Sequence, residues 1–190
     1  MYKAHLERTI FPVVVVITGV AVILQMIGYF LPYWYEIKDM HYGLWMSRTC
    51  TPDCSYVWYL DSDIRQFLRS NTLIINRWFQ TTVLILGFIG LIASLIQLAN
   101  RSSTPSIKGY THTVFFTATL LAGFVAETGI LLFMSDDHDF SLKGFCYIFP
   151  AVAGFLWLAS AVISCVLCRY QAYDDDDTYV NPIGFSSTRF

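Results

Sequence analysis

Charge is scarce in this sequence: Asp, Glu, Lys and Arg make up 14% of 190 residues, and the formal net charge is −2. With 55% apolar and 17% aromatic content, the chain is too apolar for a water-soluble domain and too short for two ordinary ones. It lacks any basic block, so recognition of nucleic acid or anionic lipid has no compositional support. It also lacks a phosphate-binding glycine loop, convergent carboxylates and a Ser-His-Asp pattern, and His5, His41, His112 and His138 fall in four different segments. The expectation is a protein that is not an enzyme, with no catalytic residue and no cofactor.

What the chain does have is length in its apolar runs. Four of them, Ile10 to Leu31, Trp78 to Leu98, Thr113 to Met134 and Cys146 to Leu167, each hold 21 or 22 residues. As helices each reaches about 30 Å, the thickness of the hydrocarbon layer. Only helices and closed barrels satisfy their backbone there, and runs of this length favour helices. The first run is too long for a signal peptide and is not followed by a small-x-small cleavage site, so it is expected to remain as an anchor. The chain then divides into an N-terminal segment (1–9), a four-span domain (10–167) with loops at 32–77 and 135–145, and a tail (168–190).

Charge does not orient these spans. With both termini cytoplasmic, Lys3, Arg8, Arg101, Lys108, Arg169 and Arg189 lie inside, against Lys38, Arg48, Arg65, Arg69, Arg77 and Lys143 outside. The cysteines give the stronger argument, because a close pair in the first loop suits an oxidising compartment. That topology puts the Asn100-Arg101-Ser102 sequon in the cytosol, where it stays unglycosylated.

Only the first loop is long enough to fold. It contains Tyr33-Trp34-Tyr35, Tyr42, Trp45 and Ser55-Tyr56-Val57-Trp58-Tyr59-Leu60, an aromatic and β-branched composition that favours strands. An antiparallel sheet on the membrane surface is expected, although the same residues also suit an interfacial aromatic belt. In Cys50-Thr51-Pro52-Asp53-Cys54 two thiols flank a three-residue turn rich in turn formers. Directly opposed strand residues lie within disulfide range. So short a loop places any bridge at the low end of the usual ~2–4 kcal/mol, so its main effect is to hold the turn. A metal site here needs two more ligands, and His41 is the only histidine in the loop; no metal is expected.

Trp34, Gly43-Leu44-Trp45, Cys50, Cys54 and Arg77 at the start of the second span together resemble the first-loop signature of the claudin, epithelial membrane protein and peripheral myelin protein superfamily. The resemblance covers about Ile10 to Cys168. It implies a membrane all-α four-helix bundle carrying a small extracellular antiparallel β-sheet, to which the second loop adds an edge strand. It also implies that Trp34 and Trp45 seat the sheet, that Cys50 bonds Cys54, and that Arg77 anchors the sheet to the second helix. The three residues between the cysteines and the four between Trp45 and Cys50 depart from the claudin spacing, so pore chemistry is not carried over. Lys38, Arg48, Arg65, Arg69 and Arg77 are balanced by Glu36, Asp39, Asp53, Asp61 and Asp63, which leaves no single-sign field for an ion-selective pore.

Within the spans, Glu127 is the only deep acid. An ionisable group at that depth marks a functional site by default, and a neutral glutamate tying helices together, with Gln25 or Thr128 as partner, is the structural alternative. Ala122 with Ala126 and Ser160 with Ser164 have the small-xxx-small spacing of close helix contacts. Cys165 and Cys168 end the fourth run, as lipidation sites or as small apolar helix-end residues, while Cys146 has no evident partner. The tail carries Asp174 to Asp177, a solvated spacer, and ends Thr188-Arg189-Phe190, the Ser/Thr-x-apolar pattern read by PDZ domains. The function these features imply is a claudin-like protein of plasma-membrane cell–cell junctions. It would meet copies of itself or related four-span proteins in the same or the opposing membrane, lie among membrane lipids, and attach a PDZ scaffold. The alternative is an auxiliary regulatory subunit of an ion channel or receptor.

Overall fold

The computed structural model describes residues 2–37, 39–50, 53–58, 72–99, 105–135 and 143–179, with side chains described from residue 10 onward except for 105–108 and 168–179. Four long helices dominate: α1 (Tyr2–Phe30), α2 (Thr72–Ala99), α3 (Pro105–Met134) and α4 (Ile148–Tyr179). Within them, the apolar segments Ile10–Phe30, Thr72–Ala99, Gly109–Met134 and Ile148–Leu167 have 20 to 28 residues each and are long enough to cross a membrane. Their outward faces are aliphatic and aromatic: Val16, Ile23, Ile85, Leu131, Phe155 and Val162 are all more than half exposed. Apolar exposure on all four helices would be a severe liability in water and is the normal condition against lipid. The chain is a multi-pass membrane protein by this criterion.

Two of the three prolines within helices fall where a helix tolerates them. Pro105 opens α3 and Pro150 lies in the first turn of α4, positions where the missing N–H would have no intrahelical acceptor. The third, Pro12, lies inside α1, where its missing N–H removes one helical hydrogen bond. In ring order α1 packs between α2 and α4, and α3 closes the bundle between the same two helices.

Small residues set the closest approaches. A methyl group at Gly123 of α3 would fall 2.6 Å from Leu158 Cγ and 3.1 Å from the Gly154 carbonyl of α4. One at Gly87 of α2 would fall 2.7 Å from the Trp157 ring. Trp157 is thus held between helices, fully buried with Ala122, Ala126, Ala153 and Val83. Ser160 and Ser164 are buried too, so all four small residues singled out in the sequence face the bundle interior.

Between α1 and α2 the chain forms a four-stranded antiparallel meander: β1 (Tyr35–Ile37), β2 (Met40–Tyr42), β3 (Met46–Cys50) and β4 (Cys54–Trp58), in the order β1-β2-β3-β4. The second loop contributes a single bridge, Lys143 to Tyr35, and not a strand, among the described residues. The helices also run beyond the apolar runs. α2 starts six residues before Trp78, which puts Arg77 inside the helix, and α4 continues well past Leu167 to Tyr179. The stretch read as free tail therefore begins as helix, because nothing between Arg169 and Tyr179 is a helix breaker.

Candidate functional site

The sheet is fixed to the bundle by one indole, one guanidinium and two glycines. Trp34 is fully buried, with Nε1 donating to Gly28 O at 2.7 Å and its ring edge-on to Phe133. Arg77 Nε donates to Leu44 O at 2.7 Å, and its Cζ stands 4.3 Å from the Trp45 ring centroid. One side chain thus holds the Gly43-Leu44-Trp45 turn by hydrogen bond and by cation–π contact. At Gly43 itself a methyl would sit 2.6 Å from Pro32 Cα and 2.7 Å from Leu31 O. Both are backbone atoms, so only glycine fits. Gly144 answers the same need on the second loop, where its backbone lies against Tyr33 and its N–H donates to Trp34 O at 2.9 Å. Lys143 adds a side-chain tie by donating from Nζ to Met134 O at 3.0 Å at the end of α3. Tyr42 completes the inner layer; burial pushes its phenol above the ordinary range, and its O–H donates to Met40 Sδ.

The face of the sheet that carries Glu36, His41, Arg48 and Tyr56 is set by register. These four residues are paired in sequence across β1, β2, β3 and β4, and Cys50 pairs Cys54 two residues further along. Residues in register share a face, as do residues two apart along a strand. The row therefore reads carboxylate, imidazole, guanidinium and phenol beside a disulfide, and Cys50 is bonded to Cys54. Arg48 is its centre: Nη1 donates to Tyr33 OH, Nη2 donates to Cys54 Sγ at 3.2 Å, and Cζ lies 5.9 and 5.6 Å from the Tyr33 and Tyr56 rings. Sequence reading counted Arg48 only as a loop charge; the missing signal was its register with Tyr56, which becomes readable once Cys50 and Cys54 are taken as opposed.

β4 is the outermost strand. All five of its residues are exposed, Trp58 at 65%, and among the described residues β3 is its only strand neighbour. Aromatic side chains on an unpaired strand edge form a surface with both backbone hydrogen-bonding capacity and large apolar area.

Inside the bundle the polar residues pair differently from expectation. Gln25 does not meet Glu127; it donates through Nε2 to Gln80 Oε1 at 2.6 Å, and Gln80 donates to Asn76 Oδ1 at 3.1 Å. The reason is the ring order, which puts α1 beside α2 and diagonal to α3. Thr128 Oγ1 is spent on its own helix, donating to Phe124 O at 2.7 Å. Glu127 instead lies against Gly154 of α4, in the space a Cβ would fill. At the far end of the bundle Ser164 pairs with His112 Nε2 at 2.8 Å. Asn76 and Gln80 were missed in the sequence, although their one-turn spacing at the start of α2 was visible there.

Among the described residues no group of three or more His, Cys, Asp or Glu is placed to hold a metal ion. Cys146 is buried and Cys165 partly so, both as free thiols. Asn100, the side chain of Cys168, and Thr188, Arg189 and Phe190 lie outside the described residues. Scanned against protein-family models and searched against curated proteins, the chain matches none.

Proposed function

We propose that this chain is a claudin-like membrane protein of cell–cell junctions, with both termini cytoplasmic and the sheet outside. Through the sheet it contributes to adhesion or barrier formation, and it has no catalytic role. The observation that carries the reading is β4, where Tyr56, Val57 and Trp58 are exposed on a sheet edge that has no further strand beside it among the described residues. A second copy in the same or the opposing membrane can add its own strand there, gaining main-chain hydrogen bonds and aromatic burial together. The anchoring of the sheet by Trp34, Arg77 and Gly43 supports the same reading, because a contact surface must be held rigidly to its membrane. The resemblance of Trp34, Gly43-Leu44-Trp45, Cys50, Cys54 and Arg77 to the superfamily signature points the same way. In this proposal Thr188 to Phe190 engage a PDZ scaffold, and Cys165 with Cys168 are available for acylation at the cytoplasmic face.

The test is expression of the tagged full chain alone in non-adherent cells, followed by imaging of cell contacts and surface biotinylation. Wild type is expected to concentrate at contacts. The Tyr56→Ser, Trp58→Ser double variant is expected to reach the surface at normal levels and lose most of that enrichment. Equal enrichment of the two would refute the role of β4. Diffuse wild-type protein that co-purifies with a single channel would replace the junction reading with that of an auxiliary subunit.

A further inference from the structure

The contact between Arg48 and the disulfide is explained neither by the seating of the sheet nor by its outer edge. Arg48 Nη2 donates to Cys54 Sγ and not to Cys50, the guanidinium is flanked by two phenol rings, and no carboxylate pairs with it among the described residues. The guanidinium is thus shared between the Tyr33 hydroxyl, which accepts from Nη1, and one of the two sulfurs, which accepts from Nη2. Cys54 is exposed and Cys50 half-buried. The bridge closes a loop of only three intervening residues, so chain entropy does little to hold it shut.

We propose that Cys50–Cys54 is a thiol-exchange site, with Cys54 as the leaving sulfur and Arg48 as the positioning residue that stabilises it. The co-reactant is a thiol, either a small one such as glutathione or the thiol of a disulfide oxidoreductase. Its thiolate attacks Cys50 Sγ, the S–S bond breaks, and the electron pair leaves on Cys54 as a thiolate hydrogen-bonded to Arg48. A second thiolate then attacks the external sulfur of the mixed disulfide, releasing Cys50 as a thiolate. The protein disulfide gains two electrons, and two external thiols become one disulfide. A nearby guanidinium lowers the basicity of the sulfur beside it, and a less basic sulfur leaves faster. The consequence is local: exchange opens the turn between β3 and β4, two residues from Tyr56. Any effect on cell contacts rests on the proposed function, whereas the exchange chemistry does not.

The experiment uses the full purified chain in lipid nanodiscs, treated with reduced glutathione at pH 7, acid-quenched and mapped by mass spectrometry. Glutathione is expected on Cys50 in large excess over Cys54. In fully reduced protein, Cys54 is expected to alkylate faster than Cys50, and its rate to persist to lower pH. Arg48→Gln should slow reduction about tenfold and Arg48→Lys should restore most of the rate. Adducts chiefly on Cys54, or equal reduction rates for wild type and Arg48→Gln, would overturn the assignment. If Arg48→Gln fails to fold, the position of the adduct in wild type decides alone. Exchange as expected with no change in cell contacts would reject only the link to adhesion.

Discussion

At the scale of single residues, the sheet depends on few side chains, and their substitution costs can be ranked. Trp34 has no exposed surface and donates its only polar hydrogen to Gly28. Trp34→Ala should therefore cost about 3–5 kcal/mol through the cavity it leaves, while Trp34→Phe should cost less and mainly strand the Gly28 carbonyl. Gly43→Ala has no such gradation, since its new methyl meets Pro32 and Leu31 backbone. Thermal unfolding in detergent, together with the fraction delivered to the cell surface, should place Gly43→Ala with Trp34→Ala and well below Trp34→Phe. A Gly43→Ala protein of wild-type stability would mean that the turn is not held as described. Much of this was legible in advance: Trp34, Gly43-Leu44-Trp45 and Arg77 stood out in the sequence as a set. Arg48 did not, because its importance comes from a cross-strand register that composition cannot express.

At the scale of elements, the helices show why hydropathy locates spans and says little about their faces. Each run is apolar on all sides, so no periodicity distinguished lipid from protein contact. The few polar residues and glycines carried that information. Gln25, Gln80 and Asn76 link α1 to α2 in a chain of amide hydrogen bonds, all three buried. Gln25 was visible as an intramembrane polar residue, but its partner could not be read without knowing which helices are neighbours. Gln25→Leu leaves Gln80 Oε1 without its close donor and should destabilise by roughly 0.5–2 kcal/mol. Adding Gln80→Leu and Asn76→Leu should recover part of that loss, because an apolar set has no group left unpaired. Denaturation of the single and triple variants in mixed micelles tests this, and a triple variant weaker than the sum of its single changes would show the chain to be worth more than its pairs.

At the scale of the whole molecule, four spans and one sheet make two surfaces with different solvents. That the chain holds four apolar helices long enough to cross a membrane was legible, since length and hydropathy decide it. The extent of the helices was not, because their ends beyond the hydrocarbon are set by local propensity and capping. If, as proposed, the terminus engages a PDZ scaffold, deleting 188–190 should leave the unfolding temperature and surface level of the protein unchanged and abolish capture by PDZ domains in pull-downs. Retained capture would assign the attachment elsewhere, and a lowered unfolding temperature would show that the terminus packs on the bundle.

The continuation of α4 from Cys168 to Tyr179 has a spatial consequence. Twelve residues of helix extend about 18 Å, more than twice the depth of a lipid headgroup layer, about 5–7.5 Å on each side. A rod of that length carries Tyr179 clear of the headgroups, so the fourth helix sets how far from the bilayer the chain is delivered at that residue.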